Sequence, residues 1–334
     1  MPSPLHSRSP APRIAAAMLA GIVLASAARA HADDDIVLTP KRVSEHVWFF
    51  QGDAGAPSAA NKGFMSNAGF VVTPDGVVAF DALGTRALGR AMIAAIGKVT
   101  KAPIRRVVVS HYHADHIYGL QEFRAEGAEI WVHRNAQLYL TSDVAVRRLE
   151  QRRAELFPWV DDNTRVIAPD VWLDGDTDFR MGGVTFRLLY SEGAHSPEDL
   201  LMLVVEDRVL FAGDLIFAGR LPFVGTSDSR AWQAALAKMI ALRPVQVVPG
   251  HGPASTDVER DLATTRDYLA YLRETMGRAV KGFEPFEDAY ARTDWSRYSA
   301  LPAFAEANRI NAYGTYLLME QEELQRANKA EKSP

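Results

Sequence analysis

Short apolar runs, separated by turn residues, alternate along the chain with segments whose apolar residues recur at helical spacing. Runs rich in β-branched and aromatic residues predict strands at His46–Gly52, Ala68–Thr73 and Gly76–Asp81. The Pro-Asp-Gly sequence at 74–76 has turn chemistry, so the second and third of these strands are predicted to form a hairpin.

The same pattern continues over the rest of the chain. It predicts, in order, a helix at Thr85–Val99, a strand at Ile104–Ser110, a helix at Gly119–Ala128, a strand at Glu129–His133, a helical stretch at Asn135–Glu155, a strand-rich stretch at Val171–Phe217, a helix at Ser229–Leu242, a strand at Val245–Pro249 and a helix at Val258–Ala279. This order predicts an α/β fold in which helices cover the outer faces of two sheets, a four-layer αβ/βα sandwich. We expect the main domain to span 36–282 and a helical C-terminal extension to span 283–334.

The N-terminal thirty residues have the pattern of a secretory signal peptide. An uninterrupted apolar run at 14–25 follows Arg8 and Arg13, and Ala-x-Ala cleavage sites follow it at 28–30 or 30–32. Because this run is too short for a stable transmembrane anchor, we predict a signal peptide at 1–30, with an uncleaved anchor as the alternative. The mature protein is then expected to be periplasmic or secreted, without stable membrane insertion.

Composition excludes several classes of function. The formal net charge of −4, and of −7 once the signal peptide is removed, provides no global basic field, so nucleic acid is not an expected partner. The chain has no Cys, which rules out disulfides, thiolate metal ligands and a cysteine nucleophile. Any metal ligands must therefore be imidazole nitrogens and oxygens.

Four residues that can ligate a metal fall within six positions, directly after the predicted strand that ends at Ser110. They are His111, His113, Asp115 and His116. Histidines two positions apart on an extended segment point the same way and can reach one cation, whereas the acid and the last histidine, after a turn, can reach a second. These ligands suit zinc, and also iron or manganese.

The HxHxDH motif after a strand resembles the metallo-β-lactamase superfamily, whose members share an αβ/βα sandwich and usually a two-metal centre. The resemblance extends along the chain, where three further ligand-type residues each follow an apolar strand in the expected order: His195, Asp214 and His251. Asp81 also matches an aspartate that the family keeps near its site, although an ordinary turn or cap role explains it equally well.

The resemblance implies a centre of two zinc ions, with iron or manganese as alternatives. One metal would be held by His111, His113 and His195, the second by Asp115, His116 and His251, and Asp214 would bridge both. The other two strand histidines, His46 and His133, match no ligand position and are predicted to be structural.

A centre of this kind implies a metal-dependent hydrolase. In the family, a bridging hydroxide attacks the substrate, and the ligand set, of the glyoxalase II type, favours an ester, thioester or lactone carbonyl. The positive charge of such a centre favours a small-molecule substrate that carries or develops negative charge. Asp115 or a metal-bound water would supply the leaving-group proton. β-Lactam hydrolysis is a less favoured alternative.

Two stretches indicate a closer subgroup. Residues 216–225 and 308–313 are similar to exported zinc hydrolases called quinoprotein-relay-system metallohydrolases. Within the first stretch, Arg220 either binds a substrate anion or is a solvated loop residue. Two other readings of the same motif order stay open: a persulfide-dioxygenase-like redox enzyme with a single iron, and a non-catalytic metal-binding protein.

Overall fold

The computed structural model of the chain describes residues 36–331. The chain divides into two units, Met1–Val37 and Leu38–Pro334, and every strand and helix named below lies in the second unit. The predicted signal peptide, residues 1–30, lies outside the described residues.

The first sheet has seven strands that lie side by side in chain order. They are β1 (Lys41–Arg42), β2 (Val47–Phe50), β3 (Ala68–Thr73), β4 (Gly76–Phe80), β5 (Ile104–Val108), β6 (Glu129–His133) and β7 (Val171–Leu173). Strands β1 to β4 pair antiparallel, and the predicted β3–β4 hairpin is present, with Thr73 opposite Gly76. Strands β4 to β7 pair parallel, so the ends of β4, β5 and β6 meet at one edge.

The second sheet has five strands in the order β12-β11-β10-β9-β8. They are β8 (Thr177–Met181), β9 (Val184–Tyr190), β10 (Leu200–Val204), β11 (Val209–Phe217) and β12 (Gln246–His251). Neighbours pair antiparallel except β11 and β12, which are parallel.

Nine helices are described between 36 and 331, and they lie outside the sheets. They are α1 (Arg86–Val99), α2 (Ala114–Ile117), α3 (Leu120–Ala125), α4 (Ala136–Leu140), α5 (Asp143–Glu155), α6 (Ser229–Ala241), α7 (Val258–Lys281), α8 (Phe286–Arg292) and α9 (Phe304–Glu331). Helices α1 and α3 pack together beside the first sheet, and α6 and α7 pack on β11 of the second.

Two hydrophobic cores hold these layers together. The first lies between the sheets, where the rings of Phe80 and Phe211 stack with their centroids 5.2 Å apart. The second joins the outer face of the second sheet to α6, α7 and the C-terminal helices, and it includes Trp232 and Tyr268, both fully buried. The prediction of an αβ/βα sandwich followed by C-terminal helices is confirmed.

Two predicted helical stretches differ from the structure in detail. The stretch at 135–155 is broken into α4 and α5, because Ser142 leaves the helical conformation and its side chain caps α5 by accepting from the backbone N–H of Ala145. The region after 282 contains two separate helices, α8 and α9, and the domain boundary placed there stays a prediction. Among residues 36–331, no helix combines the length and apolar character needed to cross a bilayer.

Candidate metal centre

The seven residues singled out by the resemblance all lie where strands of the two sheets end, although up to 140 positions separate them. His111 and His113 are in the loop that follows β5, and Asp115 and His116 are in the short helix α2. The other three come from the second sheet: His195 follows β9, Asp214 lies within β11 and His251 is the last residue of β12. Strand ends at one edge of an α/β fold are a common place for functional side chains.

The structure brings these side chains together as two adjacent groups. The first contains His111, His113, His195 and Asp214, and the second contains Asp115, His116 and His251. Within each group the candidate ligand atoms lie no more than 4.8 Å from one another. Ligands that bind one zinc at about 2.0–2.2 Å must be this close together.

The carboxylate of Asp214 lies between the two groups. Its Oδ2 is 3.7 Å from Nε2 of His111 and 3.5 Å from Nε2 of His195. Its Oδ1 is 3.2 Å from Nε2 of His116 and also 3.2 Å from Nε2 of His251. One oxygen thus faces each group, which is the arrangement that a bridging ligand requires.

Unsatisfied polar atoms show that these residues fit a bound cation. Nε2 of His111, Nε2 of His116 and Oδ1 of Asp214 are buried, and none makes a well-aligned hydrogen bond to the described residues, although Oδ1 of Asp214 and Nε2 of His116 lie 3.2 Å apart. Buried polar atoms are nearly always paired, so three unpaired atoms that point toward one another indicate a missing ligand. A divalent cation is such a ligand for nitrogen and oxygen donors.

The three histidines of the first group are in the neutral form, which can donate a nitrogen lone pair to a metal. Burial lowers the pKa of His113 to about 4 and the pKa of His195 to about 3. Burial also lowers the pKa of His111 well below its usual value. All three imidazoles are therefore neutral at pH 7, the form that binds metals.

Asp81 is connected to one ligand of each group through the ring nitrogen that faces away from the centre. Its Oδ2 accepts hydrogen bonds from Nδ1 of His116 at 2.9 Å and from Oγ of Ser110 at 2.8 Å, and its Oδ1 accepts from the Ser110 backbone N–H at 2.7 Å. The same Ser110 Oγ is 2.9 Å from Nδ1 of His111, which leaves Nε2 of both histidines facing the centre. Asp81 is buried and has a positive φ of 61°, a conformation that is uncommon outside glycine. Asp81 therefore lies next to the candidate ligands, as the family resemblance implied, and is not an ordinary turn or cap residue.

Replacing Asp81 with Ala should weaken metal binding without removing a ligand. The His116 ring would lose its hydrogen-bond acceptor and the Ser110–His111 link would lose its anchor, so we expect metal affinity to fall about 10- to 100-fold. The measurement is a competitive titration of the purified variant with a metal chelator. Ser110→Ala, which breaks only the His111 branch, should have a smaller effect. Equal affinities for Asp81→Ala and the unmodified protein would contradict the supporting role.

His251 is oriented by contacts that the sequence did not reveal. Its Nδ1 is 2.8 Å from the carbonyl oxygen of Met65, and its ring stacks on Phe217 with the centroids 4.9 Å apart. The Asn67 side chain donates to the carbonyl oxygens of Pro249 at 2.8 Å and Gly252 at 2.7 Å, on either side of the histidine. A lone Asn before a strand carries no signal of this role in a single sequence.

A cavity of about 350 Å³ opens beside the centre. Its floor includes His113, Asp115, Asp214 and His251. Arg220 also lines it; its exposed fraction is 4 %, and its Nη1 donates to the carbonyl oxygen of Gly55 at 3.3 Å and lies 3.2 Å from Nδ1 of His251. Of its two predicted settings, the solvated loop is therefore wrong, because the side chain is enclosed next to the centre.

The two histidines predicted to be structural lie outside both groups. His46 is 2.7 Å from Oδ1 of Asp207 through its Nδ1, at the turn between β10 and β11. His133 stacks on the ring of Tyr190 at a centroid distance of 3.7 Å. Both contacts join separate segments of the fold, as expected for structural residues.

Sequence comparison relates this chain to a known family and to a known enzyme. A family model described as the metallo-beta-lactamase superfamily matches residues 61–251. The linear primary-alkylsulfatase of a Pseudomonas species is 26 % identical over 253 residues, which cover 65 % of this chain and 48 % of the alkylsulfatase.

Solved structures share the fold at low sequence identity. The stereoselective inverting sec-alkylsulfatase from Pseudomonas sp. superimposes with a TM-score of 0.67 at 17 % identity, covering 84 % of this chain and 50 % of that one. A metallo-beta-lactamase from Pontibacter korlensis superimposes with a TM-score of 0.55 at 21 % identity, covering 70 % of this chain and 99 % of that one. The chain thus spans about half the length of the two alkylsulfatases that it matches.

Proposed function

Because the chain belongs to the metallo-beta-lactamase superfamily, we propose that it is a metal-dependent hydrolase whose centre is formed by the two groups of histidines and aspartates. The observation that carries this proposal is the position of Asp214, whose two carboxylate oxygens each face one group. The resemblance to quinoprotein-relay-system metallohydrolases stays a prediction, since the comparisons bear on the superfamily.

We assign two metal ions to this centre and favour zinc. The first group offers three imidazoles and a shared carboxylate, and the second offers two imidazoles, a carboxylate and the same shared carboxylate. This mixture of nitrogen and oxygen donors without sulfur suits zinc, and it also accommodates iron or manganese. When bound, such cations lower the pKa of water and polarise the substrate bond that is to be cleaved.

Asp115, on the cavity floor, transfers the proton in the proposed reaction. Asp115 lines the cavity, and its Oδ2 is 3.4 Å from Nε2 of His251. Burial opposes ionisation of this carboxyl, but His116 and His251 outweigh it and lower the pKa of Asp115, so the group is ionised at pH 7. It is therefore placed to accept the proton of the attacking water and to pass it to the leaving group.

The favoured reaction is hydrolysis of an ester, thioester or lactone. Water adds its oxygen to the carbonyl carbon, the bond from that carbon to the leaving oxygen or sulfur breaks, and the leaving group takes up a proton. A second candidate substrate is a sulfate ester, because the alkylsulfatase is similar over 65 % of the chain. The remaining alternatives are a mononuclear iron enzyme of the persulfide-dioxygenase kind and a β-lactam-hydrolysing enzyme.

We also propose that the protein is exported. The support is the sequence at 1–30, with its basic start, its apolar run and its Ala-x-Ala sites. An exported enzyme of this kind would act on a small-molecule substrate in the periplasm or outside the cell. N-terminal sequencing of the mature protein tests this point directly.

Metal analysis paired with a substrate panel tests the proposed hydrolase. We expect natively exported protein to contain two zinc ions per chain and to hydrolyse at least one of a thioester, a lactone, an aryl ester, an alkyl sulfate and a cephalosporin. Treatment with a chelator should abolish that turnover, and added zinc should restore it, because the bound cations would supply the activation of water. One iron per chain with consumption of oxygen would instead support the redox alternative. Bound metal without turnover of any substrate would overturn the proposal.

A further inference from the structure

Helix α5 supplies a basic wall to the cavity beside the metal centre. Two of its arginines, Arg148 and Arg152, line this cavity together with Val144 and Gln151. These four positions follow one another at intervals of four, three and one, which is the spacing of a single helix face. The face of α5 turned toward the centre therefore carries two guanidinium groups.

Neither arginine is neutralised by an acid across the cavity. No carboxylate within residues 36–331 forms an ion pair with Arg148. Arg152 pairs with Glu155 of its own helix, with its Nη1 2.7 Å from Oε2 of the glutamate. Arg220 lines the same cavity and forms no ion pair among these residues; its Nη1 lies 3.2 Å from Nδ1 of His251, and its Nε is buried without a hydrogen-bond partner. Because the partly buried Arg148 has no ion-pair partner among these residues, an anion from solution would be a favourable counter-charge for it.

The charge balance of the cavity favours a negatively charged ligand. Apart from the proposed metal ligands, its lining carries three arginines and one acid, Glu306. The two aspartates of the floor would be offset by the cations that they hold. The cavity that remains for the substrate is thus net positive.

Apolar side chains lie in the same cavity. Met65, Phe217 and Phe223 line it together with the centre and the arginines, and Val144 adds an apolar position on α5. A ligand that fills a cavity of about 350 Å³ would contact both these groups and the guanidinium groups. The matching chemistry is an apolar chain that ends in an oxyanion.

We propose that Arg148 and Arg152 of α5 form a binding site for a carboxylate or sulfonate group of the substrate, so that the protein acts on anionic esters with an apolar chain between the scissile bond and the charge. This assignment rests on the proposed hydrolase function. Arg220 faces the same space and completes the positive surroundings of the anion. Bidentate hydrogen bonds from guanidinium groups are well suited to such oxyanions.

A matched pair of esters tests the site. Mono-4-nitrophenyl adipate and 4-nitrophenyl hexanoate have the same six-carbon chain, but only the adipate ester carries a terminal carboxylate. We expect the unmodified holoenzyme to prefer the adipate ester, and Arg148→Ala to lower kcat/KM for that ester about 10- to 100-fold, mainly through KM, because a charge-assisted contact is lost. Turnover of the hexanoate ester should change by less than about twofold.

The neighbouring arginine provides the control. Arg147 is exposed on the same helix, and its one ion pair within residues 36–331 is with Asp143 at 3.9 Å, so Arg147→Ala should leave turnover of both substrates within about twofold of the unmodified enzyme. Arg148→Lys, which keeps the charge, should recover part of the preference for the adipate ester. If Arg148→Ala and Arg147→Ala behave alike, or if the unmodified enzyme shows no preference for the charged ester, the anion site is overturned.

A binding measurement separates this proposal from the hydrolase proposal. Hexane-1-sulfonate has no ester bond, and calorimetry on the holoprotein should show that Arg148→Ala weakens its binding about 10-fold or more whereas Arg147→Ala does not. Such binding without turnover of any ester would support the anion site while overturning the hydrolase. Ester turnover, together with sulfonate binding that Arg148→Ala does not weaken, would support the hydrolase and overturn the anion site.

Discussion

Replacing Asp214 with Ala is expected to weaken both halves of the metal centre and to release at least one of its two ions. The carboxylate is the only side chain with an oxygen facing each group in the described structure, so its loss removes one donor from each cation at once. We expect metal content to fall from two ions to one or fewer and turnover to fall by about 10³-fold or more, beyond the 10- to 100-fold typical of an outer-shell partner. Elemental analysis and turnover on the best substrate of the panel measure these effects.

Two further variants make this result interpretable. Asp214→Asn keeps the shape but removes the charge, and it should also lose metal, because an amide oxygen is a weaker ligand than a carboxylate. Asp178→Ala removes an exposed aspartate that pairs with Arg187 on the second sheet, and it should retain metal and turnover. A protein that keeps two ions and full turnover after Asp214→Ala would show that the bridging assignment is wrong.

Replacing Gly250 with Ala is expected to disrupt the centre through packing. A Cβ at this position would lie 2.1 Å from Oδ1 of Asp214 and 2.6 Å from the carbonyl carbon of Gly213. The second contact is with backbone inside a sheet, which cannot give way cheaply, so we expect unfolding free energy to fall by about 3 kcal/mol. Metal content should fall as well, since the Asp214 carboxylate must move. Urea unfolding and elemental analysis measure the two effects.

Another glycine offers the matched control. A Cβ on Gly97, near the end of α1, would meet no atom within 4 Å. Gly97→Ala should therefore raise the unfolding free energy by about 0.4–1 kcal/mol through the lower entropy of the unfolded chain. The Gly250→Ala protein could instead be as stable as the Gly97→Ala protein and hold as much metal. That result would contradict the prediction that a Cβ at position 250 displaces the Asp214 carboxylate.

Local pattern was sufficient to predict most elements of the fold. The strands at Ala68–Thr73 and Glu129–His133 have the predicted boundaries, because runs of β-branched and aromatic residues bounded by turn residues define them. The predicted strand at Val245–Pro249 is longer in the structure and extends to His251. Periodicity could not locate the break at Ser142, because the residues on both sides of it favour a helix.

The ligand set could also be predicted as a list of residues in order. The HxHxDH motif and the three later positions each follow a strand or lie near its end, and the resemblance alone implies all seven as ligands. Its convergence into two groups agrees with the family, although the identity of the metal stays a proposal.

The sequence by itself therefore determined the elements, the family and the order of the ligand residues, because each of these depends on spacing along the chain. Three contacts were decided by the tertiary structure alone. Asp81 accepts a hydrogen bond from His116, Asn67 donates to the backbone on either side of His251, and Arg148 lines the cavity. These contacts join segments far apart in the chain, so they depend on how the two sheets and α5 pack. A single sequence records which side chains exist, whereas only packing determines which of them meet.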